Sequence, residues 1–171
     1  MSAVSMDDRI KVFGFEEVTN ATALLDGAKD DIRGAIIDLS LVCSLFHLRA
    51  AAHKALLNEA HGTMKTKTIS SEILYQLSNT TKISDSLQQY KIKEESRLIA
   101  VIVVDEDVTL NALLAIVQGA PLDLTLLGAA PYLTPEKAIT IGKYFKVTPQ
   151  ELEISTLESA VVNRLAIKDA L

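Results

Sequence analysis

Residues 98–104, Leu98-Ile99-Ala100-Val101-Ile102-Val103-Val104 (LIAVIVV), form an unbroken apolar run rich in β-branched side chains. Successive residues of a strand point to opposite faces, so a strand with no polar position must be covered on both. The run therefore predicts a central strand in a sheet with helices packed against it. Working outward, Arg9 to Phe15 reads as another strand with Ile10 and Val12 inward, Ser40 to Cys43 as a further short one, and Leu122 to Leu127 as an edge strand. Helices fill the rest of the chain. Asn20 is placed to cap one through Lys29, and Leu45 to His61 forms a long one stopped by Gly62. Thr68 to Leu77 follows, and then a helix capped by Ser84 through Tyr90. Asp107 opens a helix to Val117 that Gly119 ends, and Thr134-Pro135-Glu136 opens the next, with proline at its first position. Thr148-Pro149-Gln150-Glu151 carries a capping-box pattern and starts a last long helix, whose apolar stripe is Ile154, Leu157, Val161 and Leu165. The fold class is mixed α/β: a single domain over residues 1–171, with a small mixed sheet flanked by many helices.

Composition supports that expectation. Of 171 residues 49% are hydrophobic, and a chain of this length buries roughly 70% of its unfolded surface on folding, enough for a core without a metal or disulfide. The single cysteine, Cys43, rules out an internal disulfide and suits a reducing compartment. The opening MSAVSMDDR is short and acidic, unlike a secretory leader, and no apolar run is long enough to span a bilayer. The sequence thus reads as a soluble intracellular protein without a membrane partner.

Signs of catalysis are scarce. The seven glycines fall in no phosphate-cradling pattern and no nucleophile elbow is present. Cys43 lies in an apolar run, which favours burial over reactivity. His47, His53 and His61 are spaced by six and eight, which does not bring two ligands to one helix face, and no second cysteine assists, so no metal or other cofactor is expected. The acidic clusters Glu16-Glu17, Asp30-Asp31 and Asp105-Glu106-Asp107 read as solvated faces or helix starts.

Charge is unevenly spread. The chain carries 22 acids and 17 bases, a net charge of −5, yet residues 47–97 hold eight bases against five acids. Ordinary scatter and a side facing a polyanion both fit this asymmetry. At 100° per residue His47, Ala51, Lys54, Asn58 and His61 share one narrow stripe of the 45–61 helix, beside a broad apolar face of Leu45, Leu48, Ala52, Ala55 and Leu56. The helix is then mostly buried, leaving that stripe wet as a cationic, hydrogen-bonding strip or a plain solvated face. Directly after Gly62 comes Met64-Lys65-Thr66-Lys67-Thr68. In an extended chain Lys65 and Lys67 point one way, and two spaced cations beside hydroxyls suit phosphate and sugar contacts, or a guarded solvent edge.

At these residues the chain resembles a known family. The segment 62–92 (GTMKTKTISSEILYQLSNTTKISDSLQQYKI) is similar to the central block of the PRPK-binding protein family, the TPRKB or CGI-type subunit of the KEOPS complex: a basic K-T-R/K-T stretch, then S-x-E-I, then an I-S-x-[AS]-L helix. The helix upstream, with Phe46, Ala51-Ala52 and Lys54-Ala55, resembles the family's lead-in helix, and Arg164 followed by Ala166-Ile167-Lys168-Asp169-Ala170-Leu171 resembles its R-x-x-x-K-D-x-L ending. Where relatives often carry an Asp-Pro turn before the long helix, this chain has Cys43-Ser44-Leu45. The resemblance implies a non-catalytic subunit of KEOPS, in cytoplasm and nucleus. It would bind the small PRPK-type atypical kinase directly and the threonylcarbamoyl transferase indirectly, and support threonylcarbamoyladenosine formation in tRNA by helping to hold the 3′ end. Under that reading Lys65, Thr66, Lys67 and Thr68 join His47, Lys54, Asn58 and His61 in one RNA-facing surface. Ile167 and Leu171, beyond the last capped helix, dock either on the chain's own core or on the partner. A helical adaptor without RNA contact, and a small-molecule enzyme with an unrecognised site, are the alternatives.

Overall fold

The computed structural model describes residues 6–27 and 32–168. In chain order the elements are α1 (Met6–Arg9), β1 (Ile10–Glu16), α2 (Ala21–Gly27), β2 (Gly34–Asp38), α3 (Leu45–His61), α4 (Ile69–Gln76), α5 (Ile83–Tyr90), β3 (Ile99–Val104), α6 (Leu110–Leu114), β4 (Ala120–Leu122), α7 (Pro135–Tyr144), α8 (Pro149–Ile154) and α9 (Leu157–Ile167), with 3₁₀ turns at Leu39–Leu41 and Leu124–Leu126. The four strands form one sheet in the order β2-β3-β1-β4. All three pairings are antiparallel. The mixed α/β class is what the sequence predicts, but a run buried on both faces says nothing about strand direction, and the sheet is antiparallel throughout.

β3 occupies the predicted interior position, and every one of its residues is buried. Ala100, Ile102 and Val104 enter the larger core, with α3, α4, α7 and α9. Ile99, Val101 and Val103 enter a second core on the opposite face, with Leu24 of α2 and Leu113 of α6. Each fully buried aliphatic side chain contributes about 1.5–3 kcal/mol by leaving water. At one end of the sheet, ion pairs join three strands to α3. Arg9 grips Asp105 at 2.6 and 2.7 Å, and Arg33 reaches Glu59 of α3 at 2.5 and 3.1 Å.

Several expected elements shift. The second strand lies at Gly34–Asp38 rather than Ser40–Cys43, because Asp38 accepts from the Ser40 N–H and winds the following residues into a 3₁₀ turn. Gly34 is obligatory there, since a Cβ would sit 1.8 Å from the Ile102 carbonyl oxygen. β4 ends at Leu122, where the Asp123 carboxylate accepts from Thr125 N–H at 3.0 Å and its hydroxyl at 2.7 Å, turning the predicted 122–127 strand into another 3₁₀ turn. Thr109, not Asp107, caps α6, while Asp107 pairs with Lys11. Lys82 occupies the cap position of α5 in place of Ser84. Asn20 stands just before α2, but its side chain bonds Ile116 O and Gln118 N; residues 28–29 of that predicted helix lie outside the described residues. The last long helix breaks at Ser155, where Thr156 caps α9 afresh, and Ile154 leaves the apolar stripe for solvent at 89% exposure. No helix among the described residues is long and apolar enough to cross a membrane.

Candidate functional site

The long helix α3 starts and stops where local chemistry dictates. Ser44 Oγ accepts from the His47 N–H, an ordinary serine cap. Gly62 adopts the left-handed conformation at φ 66° and its N–H satisfies the last carbonyls, Asn58 O and Glu59 O. Between these ends the covered and wet faces differ from the arithmetic of the sequence. His47 is fully buried. Its Nδ1 accepts from the Cys43 N–H at 3.3 Å, so Nε2 carries the hydrogen and donates to Leu77 O at 2.9 Å. Burial lowers its pKa to about 4 despite that carbonyl, and the rings of Tyr90 and Phe145 stand edge-on to it. Ala51 is buried too, the Lys54 ammonium is bonded to the Leu165 carbonyl of α9, and the Asn58 amide donates to Glu72 at 3.2 Å. The predicted wet strip is therefore an internal seam against α4 and α9. His47 has no surface to offer RNA, and Lys54 and Asn58 are engaged within the protein. Of the strip, only His61 at the helix end is exposed.

The stretch after Gly62 is held from below by one carboxylate. Glu72 lies in the first turn of α4 and is buried. Its Oε2 accepts from the N–H groups of Lys65 and Thr66 at 3.1 and 3.0 Å and from the Thr66 hydroxyl at 2.8 Å. Its Oε1 accepts from Asn58 and Gln76 at 3.2 and 3.1 Å. Burial alone would raise the Glu72 pKa, but the bonds from Thr66, Gln76 and Asn58 together hold it below the ordinary carboxylate range. Thr68 caps α4 through a reciprocal capping box with Ser71. Thr66 turns inward while Lys65 and Lys67 project into solvent, the alternation expected of them, on a bent rather than extended chain.

The other face of α3 is unexpectedly apolar. Phe46 is 53% exposed and Leu57 43% exposed, and the 100° helical step places Ala50 and His53 between them. A helix with large apolar side chains on two sides is expected to be covered on both, yet among the described residues nothing covers Phe46 and Leu57.

At the C-terminus Lys168 is the unforeseen residue. It is fully buried, its ammonium lies 3.5 Å from the Tyr75 ring centroid, and it donates to the carbonyls of Tyr75 and Ser78 (3.0 Å for the latter) and to the Ser78 hydroxyl at 3.2 Å. These are acceptors at the C-terminal end of α4, where a cation complements the helix dipole. Arg164 makes a two-pronged bond to Glu151 at 2.7 and 2.8 Å, fixing α9 to α8. Ile167 is 55% exposed rather than docked on the core, and Leu171 lies outside the described residues. The sequence signal for Lys168 was its place in the closing R-x-x-x-K-D-x-L pattern.

Cys43 and His47 are the nearest approach to a nucleophile and base, with Sγ 3.8 Å from Nδ1. Burial pushes the Cys43 thiol up to about 11, and the histidine nitrogen that would receive its proton already accepts a backbone N–H. The pair is a packing contact. Among the described residues no group of three histidines, cysteines or carboxylates could hold a metal ion.

Comparison with known proteins bears on these surfaces. Residues 15–169 match the family model described as kinase binding protein CGI-121. The EKC/KEOPS complex subunit TPRKB of Danio rerio is 34% identical over 159 residues, covering 91% of this chain and 88% of that protein. The EKC/KEOPS complex subunit CGI121 of Candida glabrata is 27% identical over 169 residues, covering 95% and 94%. The subunit of the same name from Yarrowia lipolytica is 32% identical over 106 residues, covering 60% and 62%. With one family model spanning nearly the whole chain, and relatives aligned over nearly their full length, this chain belongs to the CGI-121 kinase-binding protein family.

Proposed function

We propose that this chain is a non-catalytic subunit of an EKC/KEOPS complex that docks the complex's PRPK-type kinase on the outer face of α3 and offers Lys65 and Lys67 to tRNA. The observation that carries the docking is the exposure of Phe46 and Leu57 on a helix whose opposite face is already filled. Aromatic and aliphatic anchors of this kind, flanked by His53 and Arg49, make the desolvated centre of a protein interface. Family membership and the names of the relatives supply the kind of partner. The role in tRNA threonylcarbamoylation, with tRNA held near its unpaired 3′ end, rests on the resemblance of the 62–92 block. It is supported by the two exposed lysines, which need no reorganisation to meet phosphates because Glu72 has already fixed the backbone beneath them. His61 stands at the same corner and joins them. An enzymatic role finds no support in the buried Cys43–His47 pair.

The test is a salt series of tRNA binding in the assembled complex, with wild type and Lys65→Glu/Lys67→Glu. The variant should bind more weakly and with a flatter salt dependence, each lost phosphate contact reducing the logarithmic slope by about one unit or less, while still co-eluting with the kinase. Equal affinities and slopes would return the two lysines to a solvated edge.

A further inference from the structure

A groove of about 380 Å³ crosses the outer edge of β2, and none of its lining residues belongs to α3. β2 is the terminal strand of the sheet. Arg33 O accepts from Val104 N–H at 2.7 Å and Leu39 N–H donates to Leu98 O at 3.2 Å. Odd-numbered residues therefore face β3, and Gly34 and Ile36 direct their N–H and C=O groups outward, into the groove. Among the described residues that outer edge is met only by an isolated antiparallel bridge between Ile37 and Lys91; because Ile37 itself faces β3, the bridge runs through the Ile36 C=O and the Asp38 N–H and leaves the Gly34 N–H and C=O and the Ile36 N–H open. Leu24 and Leu25 of α2 wall it on one face of the sheet; Leu74 of α4 and Leu87 of α5 wall it on the other, beside the hydroxyl-bearing Thr68, Ser70 and Ser71 at the start of α4. Lys91 stands exposed at its lip and forms no ion pair with a carboxylate among the described residues.

We propose that this groove receives a short extended peptide segment of a partner protein, which adds to β2 as a further strand. Successive side chains of an added strand point to opposite faces, so they meet the α2 wall and the α4–α5 wall in turn. The segment is accordingly apolar on both faces over about three residues, the length of edge that the Lys91 bridge leaves open. It carries a carboxylate at the end that meets Lys91. A nucleic-acid strand has no N–H and C=O ladder to match the edge, and Lys91 is the one cation in the lining to meet its phosphates.

The experiment uses the isotopically labelled full chain and the peptide acetyl-Ser-Val-Ile-Val-Glu-amide, followed by amide NMR shifts. Shifts should concentrate at Gly34 to Ile36 and at Lys91. Two N-methylated forms, each blocking the N–H groups along one edge of the peptide, separate strand pairing from greasy contact. A strand pairs through one edge, so only one of the two should lose affinity, by about tenfold for the hydrogen bonds removed. Lys91→Glu should weaken the glutamate peptide several-fold and favour a lysine-ended version, in a variant whose exposed position leaves folding intact. Absence of shifts at 34–36 at millimolar peptide overturns the proposal, as does equal binding by both methylated forms. Shifts there with a cytidine hexanucleotide but not with the peptide assign the groove to nucleic acid and equally overturn it.

Discussion

Both faces of α3 carry large apolar side chains, and their fates are opposite. The inner face, Leu48, Ala51, Ala52, Ala55 and Leu56, is wholly buried, and it is flanked by polar residues whose hydrogen bonds are met inside the fold. On the outer face Phe46 and Leu57 stand exposed, with no covering element among the described residues. Hydrophobic content alone therefore does not tell a core face from an interface; what separates them is whether neighbouring polar groups find partners within the same chain. His47, Lys54 and Asn58 do, and their side of the helix is closed.

Substitutions should split along this line, and the largest effect belongs to the inner face. Leu48→Ala opens a cavity in the larger core and should cost about 2–5 kcal/mol in urea unfolding, whereas Phe46→Ala should stay within about 0.5 kcal/mol. Equal losses at the two positions would mean that the outer face is also structural.

Acid should act on the inner face next. His47 is kept neutral with its pKa lowered to about 4, against about 6.5 when unfolded. A group whose folded pKa is depressed contributes stability that is complete above its unfolded pKa and is lost as pH falls through the folded one. Stability should therefore decline between about pH 6.5 and 4, by roughly 3 kcal/mol in all. His47→Gln should be less stable at pH 7 and lose most of that slope; an unchanged slope would show that His47 is not the titrating group. Glu72, also held low, adds its own loss at more acidic pH, below the ordinary carboxylate range.

A smaller effect tests the loop. Glu72→Gln turns one acceptor oxygen into a donor facing the N–H groups of Lys65 and Thr66, and should cost about 1–3 kcal/mol. Amide exchange should speed up over residues 63–68 with little change in α3. Protection unaltered in that stretch would show that the loop is ordered without its carboxylate anchor.

The sequence allowed α3 to be bounded to the residue, because Ser44 and Gly62 carry end signals that act locally. β3 was equally legible, since a β-branched run needs cover on both faces wherever it lies. β2 was not, because Gly34 and Asp38 look like turn residues and only three apolar positions lie between them. The candidate site was half legible. Helical arithmetic grouped His47, Lys54, Asn58 and His61 correctly on one stripe, but which stripe is wet depends on acceptors 14 to 111 residues away, such as Leu77 O and Leu165 O. For the same reason Glu72 and Lys168 went unread as anchors of α4, although each sits at the helix end its charge favours. Lys65 and Lys67 were legible because their exposure follows from short-range alternation.

The most direct test of the outer face is calorimetric titration of the PRPK-type kinase with wild type, Phe46→Glu/Leu57→Glu and Lys65→Glu/Lys67→Glu, each first checked for its unfolding midpoint. Two buried charges at the centre of an interface should abolish binding at micromolar concentration while the midpoint stays near that of wild type, and the lysine variant should bind the kinase as wild type does. Wild-type affinity in the Phe46→Glu/Leu57→Glu variant would contradict the account and move the kinase to another surface.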